Sequence, residues 1–288
     1  MHAQIGDRAN DAVRVNGRDL RARMVVEGGN LGLSQRGRIE YLLQGGRCHT
    51  DAIDNSAGVD CSDHEVNLKI FLHREVRAGR MTAEAAQALL AGMQDDVAAL
   101  VLADNAAQVR FLAVANHEAM RRHREFGQLA AFLEARAGLN RQVEVLPDDR
   151  SWEARGRNRQ PLTRAELAVL LAYSKNWLKS ALATPSLADD PRLLAQGRRA
   201  FPPGFRERFG DALDHHPLAI PLAATRLAND LTEMLGMGAL PRLFKAHPDL
   251  QPVRLAAAFQ AVSELLGLEA LWQQIDIAAP LLPAGLVL

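Results

Sequence analysis

The chain reads as a mainly α-helical protein with an α/β part at its N-terminal end, an expectation that rests on three observations. First, between residues 24 and 67, β-prone runs alternate with clusters of Gly, Asn, Asp and Ser. Runs that break into small polar residues and then lead into helical patterns mark the ligand-facing edge of an open α/β sheet. Second, from Thr82 onward the composition turns to Ala, Leu, Glu, Gln and Arg, all strong helix formers. Third, Pro185, Pro191, Pro202-Pro203, Pro217 and Pro221 divide the later part into short helical segments.

Taken in order, Asn16-Gly17 is a turn signal, and residues 21–26 follow as a strand that breaks into Glu27-Gly28-Gly29-Asn30. Ser34 caps a helix running through Leu43 and stopped by Gly45-Gly46. A second strand over 47–53 breaks into Asp54-Asn55-Ser56-Ala57-Gly58, and the two strands are expected to be parallel neighbours. Asp60 or Ser62 then caps a long helix with Val66, Ile70 and Phe71 at helical spacing, ending near Gly79. Helices are expected over 83–91, 95–118 and 119–137, the last stopped by Gly138. Residues 146–161, with Pro147, Asp148, Asp149, Gly156 and Asn158, form the best internal linker. Thr163-Arg164-Ala165-Glu166 matches a capping box, in which the two side chains reciprocally satisfy free N–H groups at a helix start. Helices over 218–235 and 253–266 end at Gly236 and Gly267. The expected organisation is therefore an α/β part over 1–80 and a helical part over 81–288, with no internal repeat.

With 288 residues, 48% hydrophobic and 24% charged, the chain has enough apolar surface for one or two cores. Lys+Arg and Asp+Glu both number 34, and this zero net charge argues against a general nucleic-acid or anionic-membrane binder. Arg121-Arg122-His123-Arg124 and Arg198-Arg199 read as solvated faces or salt-bridged contacts. Cys48 and Cys61 make neither a metal set nor a disulfide framework. A polar start over 1–10 without a signal peptide, and the lack of an apolar run of about 20 residues, give a cytoplasmic expectation with no membrane partner.

The motifs themselves carry a resemblance. Glu27-Gly28-Gly29-Asn30, followed by Asp54-x-Ser56-Ala57-Gly58-Val59 and Ser62, resembles the closing part of the nucleotide-binding domain of the glutamate dehydrogenase superfamily. Gln35-Arg36-Gly37-Arg38-Ile39-Glu40-Tyr41 and Asp60-Cys61-Ser62-Asp63-His64-Glu65-Val66-Asn67 are similar to the large bacterial NAD-specific glutamate dehydrogenases. Residues 162–175 resemble a helical segment that follows the catalytic part there. The resemblance covers the whole chain, is most specific over residues 6–69, and places it at the C-terminal portion of that family. It implies a partial Rossmann-like NAD-binding domain over 1–80 followed by a helical C-terminal domain. The implied reaction converts glutamate, NAD and water to 2-oxoglutarate, ammonia and NADH, in an enzyme that is a homo-oligomer. On the same basis Gly28, Gly29, Asn30 and Asn55 face NAD, and Ser62 contacts the distal carboxylate of glutamate or 2-oxoglutarate.

Each of these residues also has a plainer reading. The asparagines suit turns, or an amide that donates to one ligand oxygen and accepts from another group. Ser62 suits an N-cap, where the N–H groups and dipole of a helix start also favour an anion. Gly28, Gly29 and Gly58 allow close ligand approach or a positive φ. No G-x-G-x-x-G is present, and Lys69, Lys175, Lys179 and Lys245, the only lysines, lie outside the motif loops. Amino-acid dehydrogenation calls for a lysine of tuned pKa and cationic substrate partners, so no catalytic residue is assigned and the chain alone is expected to be inactive. Asp54, Asp60, Asp63 and Glu65 with His64 invite a metal reading, but hard cations need several oxygens converging on one point, and no metal is assigned. His215-His216 reads as a turn feature before Pro217. Pro217 and Pro221 stand where the family has a more basic, uninterrupted helix start, which puts that helix register in question. The alternative function is a helical oligomerisation or regulatory module without catalysis.

Overall fold

The computed structural model describes residues 11–278, and among them the chain is helical with no strand. This overturns the expected N-terminal α/β part: no Rossmann-like sheet forms over the described residues of 1–80. The two predicted strands do meet in parallel, at a single bridge between Met24 and Arg47, where the Val25 N–H donates to the Arg47 carbonyl at 2.9 Å. Pairing goes no further because the second run turns helical at Thr50, ahead of helix α2 (Asp51–Asp54). A parallel pair on its own also leaves one edge of each segment without partners and buries little apolar area. Met24 and Val26 accordingly stay 59% and 69% exposed.

The helices follow from local chemistry. Helix α1 (Gln35–Leu43) starts at Ser34, whose side chain accepts from Gly37 N. Helix α3 (Ser56–Arg77) starts earlier than Asp60 or Ser62, because Asn55 already takes the N-cap position. Ser62 therefore lies two turns inside the helix and does not cap it. Helices α4 (Ala83–Ala91), α5 (Gln94–Glu118) and α6 (His123–Ala137) follow, with Gly138 ending α6 at φ 68° in the left-handed region that favours glycine. Residues 146–161 contain helix α7 (Asp149–Arg157), capped by Asp148 and burying Trp152. Helix α8 (Arg164–Leu182) opens with the full Thr163–Glu166 capping box. After α9 (Pro191–Leu194) and α10 (Pro203–Phe209), helix α11 (Ala219–Leu235) accommodates Pro221 in its first turn, where the missing N–H has no helical acceptor to lose. Helices α12 (Ala239–Ala246), α13 (Pro252–Leu266) and α14 (Leu268–Ala278) complete the described chain.

Three cores hold these helices. In the first, Leu167, Leu170 and Leu171 of α8 meet Leu112 of α5, Phe126, Leu129 and Leu133 of α6, and Ile53 and Trp152. In the second, Leu178 and Leu182, further along α8, meet Ala223, Leu227 and Leu231 of α11, Phe244 of α12 and Phe259 of α13. In the third, Leu68, Phe71 and Leu72 of α3 meet Val97 and Val101 of α5 with Phe201 and Phe205. Each fully buried leucine or phenylalanine contributes about 1.5–3 kcal/mol relative to exposure. Helix α5 is long and apolar enough to match a membrane span, a property the sequence reading did not give it. It carries alanines on its outer face and packs against α3, α8 and α11.

Candidate functional site

The loop over 27–33 is built on carboxylates. The Glu27 side chain is only 3% exposed and grips Arg38 of α1 with both oxygens, Nε to Oε2 at 2.6 Å and Nη2 to Oε1 at 2.9 Å. Glu27 Oε1 also accepts from Leu33 N at 2.8 Å. From α2, Asp51 accepts from Leu31 N at 2.9 Å and lies 3.1 Å from Arg38 Nη2. Asp54 accepts from Glu27 N at 2.9 Å. Leu31 holds φ 62°, an unusual value for a leucine, and its side chain is 86% exposed. Three acidic side chains and one arginine thus fix a short loop from beneath, leaving its upper face open.

On that face the two asparagines singled out in the sequence come together: Asn55 Nδ2 donates to Asn30 Oδ1 at 3.0 Å. The Asn55 amide oxygen would stand 2.5 Å from a Cβ on Gly58, so only glycine leaves it room in this position. Gly28 and Gly29 are different. Neither takes a positive φ, and no atom lies within 4 Å of where their Cβ atoms would be. The chain's own packing therefore places no demand for glycine at either position. Ser62 is exposed and its hydroxyl lies 3.5 Å from the Gly58 carbonyl. Seven residues make nearly two helical turns, so Asn55 and Ser62 stand on one face of α3.

The acidic residues considered for a metal separate. Asp54 serves Glu27 N and His49, and Glu65 pairs with Lys69. Asp60 and His64 instead face Asp104 of α5, a residue the sequence did not connect with them. His216 lies in the turn before α11, its Nδ1 accepting from Leu218 N at 3.0 Å. Within the arginine clusters, Arg122 pairs with Glu118 and Glu125, and Arg198 with Asp211 and Asp214.

The electrostatics suit a fixed scaffold. Burial opposes charge on both Arg38 and Asp51, yet their partners outweigh it, raising Arg38 and holding Asp51 below its ordinary value. Burial, with Glu27 and Asp54 nearby, pushes the Cys48 thiol up to about 11. His49 is lowered by burial, helped by Arg164 and opposed by Asp54. Its Nδ1 faces Asp54 Oδ1 at 3.2 Å, and its Nε2 receives an Arg164 N–H at 3.3 Å, an arrangement of the neutral Nδ1–H tautomer.

A pH dependence follows. The unfolded chain takes up the His49 proton at its ordinary pKa of 6.5, before the folded chain does. The stability from neutral His49 is full above that value and is lost as pH falls through the lower folded pKa. His216, also lowered by burial, acts in the same direction. Urea midpoints are expected to drop from about pH 7.5 to about pH 5.5, with a smaller drop in His49→Gln. An unchanged midpoint difference in that variant would remove His49 from the effect.

Comparison with known proteins locates the chain. Residues 1–115 match the family model described as bacterial NAD-glutamate dehydrogenase, catalytic domain. Residues 159–285 match the model described as glutamate dehydrogenase, C-terminal. The chain is 44% identical over 287 residues to the NAD-specific glutamate dehydrogenase of Pseudomonas aeruginosa, covering 100% of this chain and 18% of that protein. It is 39% identical over 274 residues to the enzyme of that name from Halomonas elongata, covering 95% of this chain and 17% of the relative. For the Mycobacterium tuberculosis protein of the same name the identity is 38% over 276 residues, covering 96% and 17%. The chain thus spans under a fifth of the length of these relatives.

Proposed function

Because this chain belongs to the bacterial NAD-specific glutamate dehydrogenase family, as part of its C-terminal portion, we propose that it supplies one wall of an NAD-dependent glutamate dehydrogenase site. In that enzyme glutamate, NAD and water give 2-oxoglutarate, ammonia and NADH. The observation that carries this reading is the Asn30–Asn55 contact on a loop where Gly28 and Gly29 answer to no contact within the chain. An amide pair of this kind offers donors and an acceptor to a nicotinamide or its ribose, and Gly28 and Gly29 let a cofactor come close to the backbone. Ser62, on the same face of α3, offers its hydroxyl to the distal carboxylate of the substrate. The lysine and Gly-rich turn that the chemistry calls for are outside the residues of this chain. We propose a cytoplasmic homo-oligomer for the complete enzyme.

In a full-length enzyme containing this segment, Asn55→Ala is expected to raise KM for NAD and Ser62→Ala to raise KM for glutamate. Each effect corresponds to roughly 1–3 kcal/mol if a ligand hydrogen bond is lost. Steady-state kinetics that leave both parameters at wild-type values would defeat the assignment. The 288-residue chain alone is expected to give no NAD-coupled turnover of glutamate.

A further inference from the structure

On the side of α3 turned toward α5, three side chains converge that neither the proposed cofactor contacts nor the proposed substrate contact use. Ligand atoms of Asp60, His64 and Asp104 all lie within 4.8 Å of one another. His64 is the informative member. Its side chain is 7% exposed, and its Nδ1 lies 2.7 Å from the Ala200 carbonyl. A carbonyl only accepts, so Nδ1 carries a proton, and in the neutral form of such a ring Nε2 directs its lone pair toward the carboxylates. Nε2 is buried and has no hydrogen-bond partner. A lone pair facing two carboxylates is unfavourable unless a positive centre lies between them.

Distance separates the two kinds of positive centre. Nε2 stands 3.7 Å from Asp60 Oδ1, beyond the range in which a shared proton makes a hydrogen bond. A four-coordinate ion with ligands at about 2.0–2.2 Å instead sets neighbouring ligand atoms about 3.4 Å apart. We propose that Asp60, His64 and Asp104 bind a divalent transition ion, with water completing its coordination. One imidazole nitrogen with two carboxylates is a borderline donor set, which favours Zn2+ over Mg2+ or Ca2+. The Nδ1 bond to Ala200 is the outer contact that orients a ligating histidine. Arg226 grips Asp104 through Nη1 at 2.9 and 3.0 Å, orienting that carboxylate while adding a positive charge that limits affinity. Asp60 is the half-buried member, its side chain 30% exposed, and gives the ion its way in. The bound ion ties α3 to α5 and, through His64, to the 3-10 turn Ala195–Ala200, steadying the helix that carries Ser62.

The test uses the untagged full chain, stripped with a chelator, in a Cys61→Ser background so that this exposed thiol does not take the metal. Calorimetric titration with Zn2+ is expected to give one equivalent and a raised Tm. Loss of a direct ligand costs at least as much as loss of an outer contact, so Asp60→Asn and His64→Gln should each weaken binding at least about tenfold. Both should also cancel the Tm rise. Co2+ substitution should give an absorption spectrum that changes in Asp60→Asn, which removes only a half-buried charge and keeps its shape. No saturable Zn2+ binding, or binding and a Co2+ spectrum unchanged in Asp60→Asn, overturns the site.

Discussion

Replacing Glu27 with alanine is expected to cost roughly 3–5 kcal/mol of folding stability, the range for removing one member of a buried ion pair. Arg38, itself 7% exposed, would keep its charge with only Asp51 at 3.1 Å to answer it. The Leu33 N–H would lose its acceptor as well. Urea unfolding of the variant measures the loss directly. The double variant Glu27→Met with Arg38→Met provides the control, because removing both charges leaves no uncompensated ion and should recover most of the stability. A single-variant cost below about 1 kcal/mol would mean that the pair behaves as an exposed one. In the complete enzyme, the same substitution should loosen the loop that holds Asn30 and raise KM for NAD.

The second large effect is expected at Phe71. Truncating it to alanine should cost about 3–5 kcal/mol, the transfer term plus the cavity left behind. Phe71 is 1% exposed and meets Phe205 and Phe209 edge-on, with ring centroids 5.4 and 4.8 Å apart. These partners belong to α10, more than a hundred residues along the chain. A thermal melt that falls by only a degree or two would show that the third core contributes little. A cycle with Phe205→Leu is expected to show coupling, since neighbouring core residues do not add independently.

Helix ends were legible because capping is local chemistry. Ser34 and Thr163 each accept from a backbone N–H at the N3 position, and Gly138 and Gly267 end their helices at positive φ. The start of α3 was not legible, since Asn55, Ser56, Asp60 and Ser62 are all good caps and local preference does not rank them. The strands failed for a non-local reason. The runs at 21–26 and 47–53 have strand composition, but a strand exists only where a partner completes its ladder, and here that partnership is one bridge. Over 146–161, Pro147, Gly156 and Asn158 signalled a linker, while Asp148 as cap and Trp152 as buried anchor favour α7.

The candidate site divides in the same way. Asn30 and Asn55 were singled out by motif resemblance, and the fold brings them into contact. The carboxylate scaffold beneath them was missed, because a pair such as Glu27–Arg38 is defined by burial, which a list of charges does not reveal. Its one signal was Arg38 standing between Gly37 and Ile39 on the inward side of α1. Asp104 was invisible for a stronger reason: it reaches Asp60 and His64 only after α5 has packed against α3.

The sharing of helices among the cores bears on how the molecule comes apart. Helix α5 contributes to the third core and the first, α8 to the first and the second, and α11, through Leu222, reaches from the second back to the third, so the cores close into a ring joined by three pins. A ring has no free end, so loosening any one core works on two helices that its neighbours share. The helices α5, α8 and α11, rather than any one cluster of side chains, therefore set how far a local opening spreads toward the loop that carries Asn30.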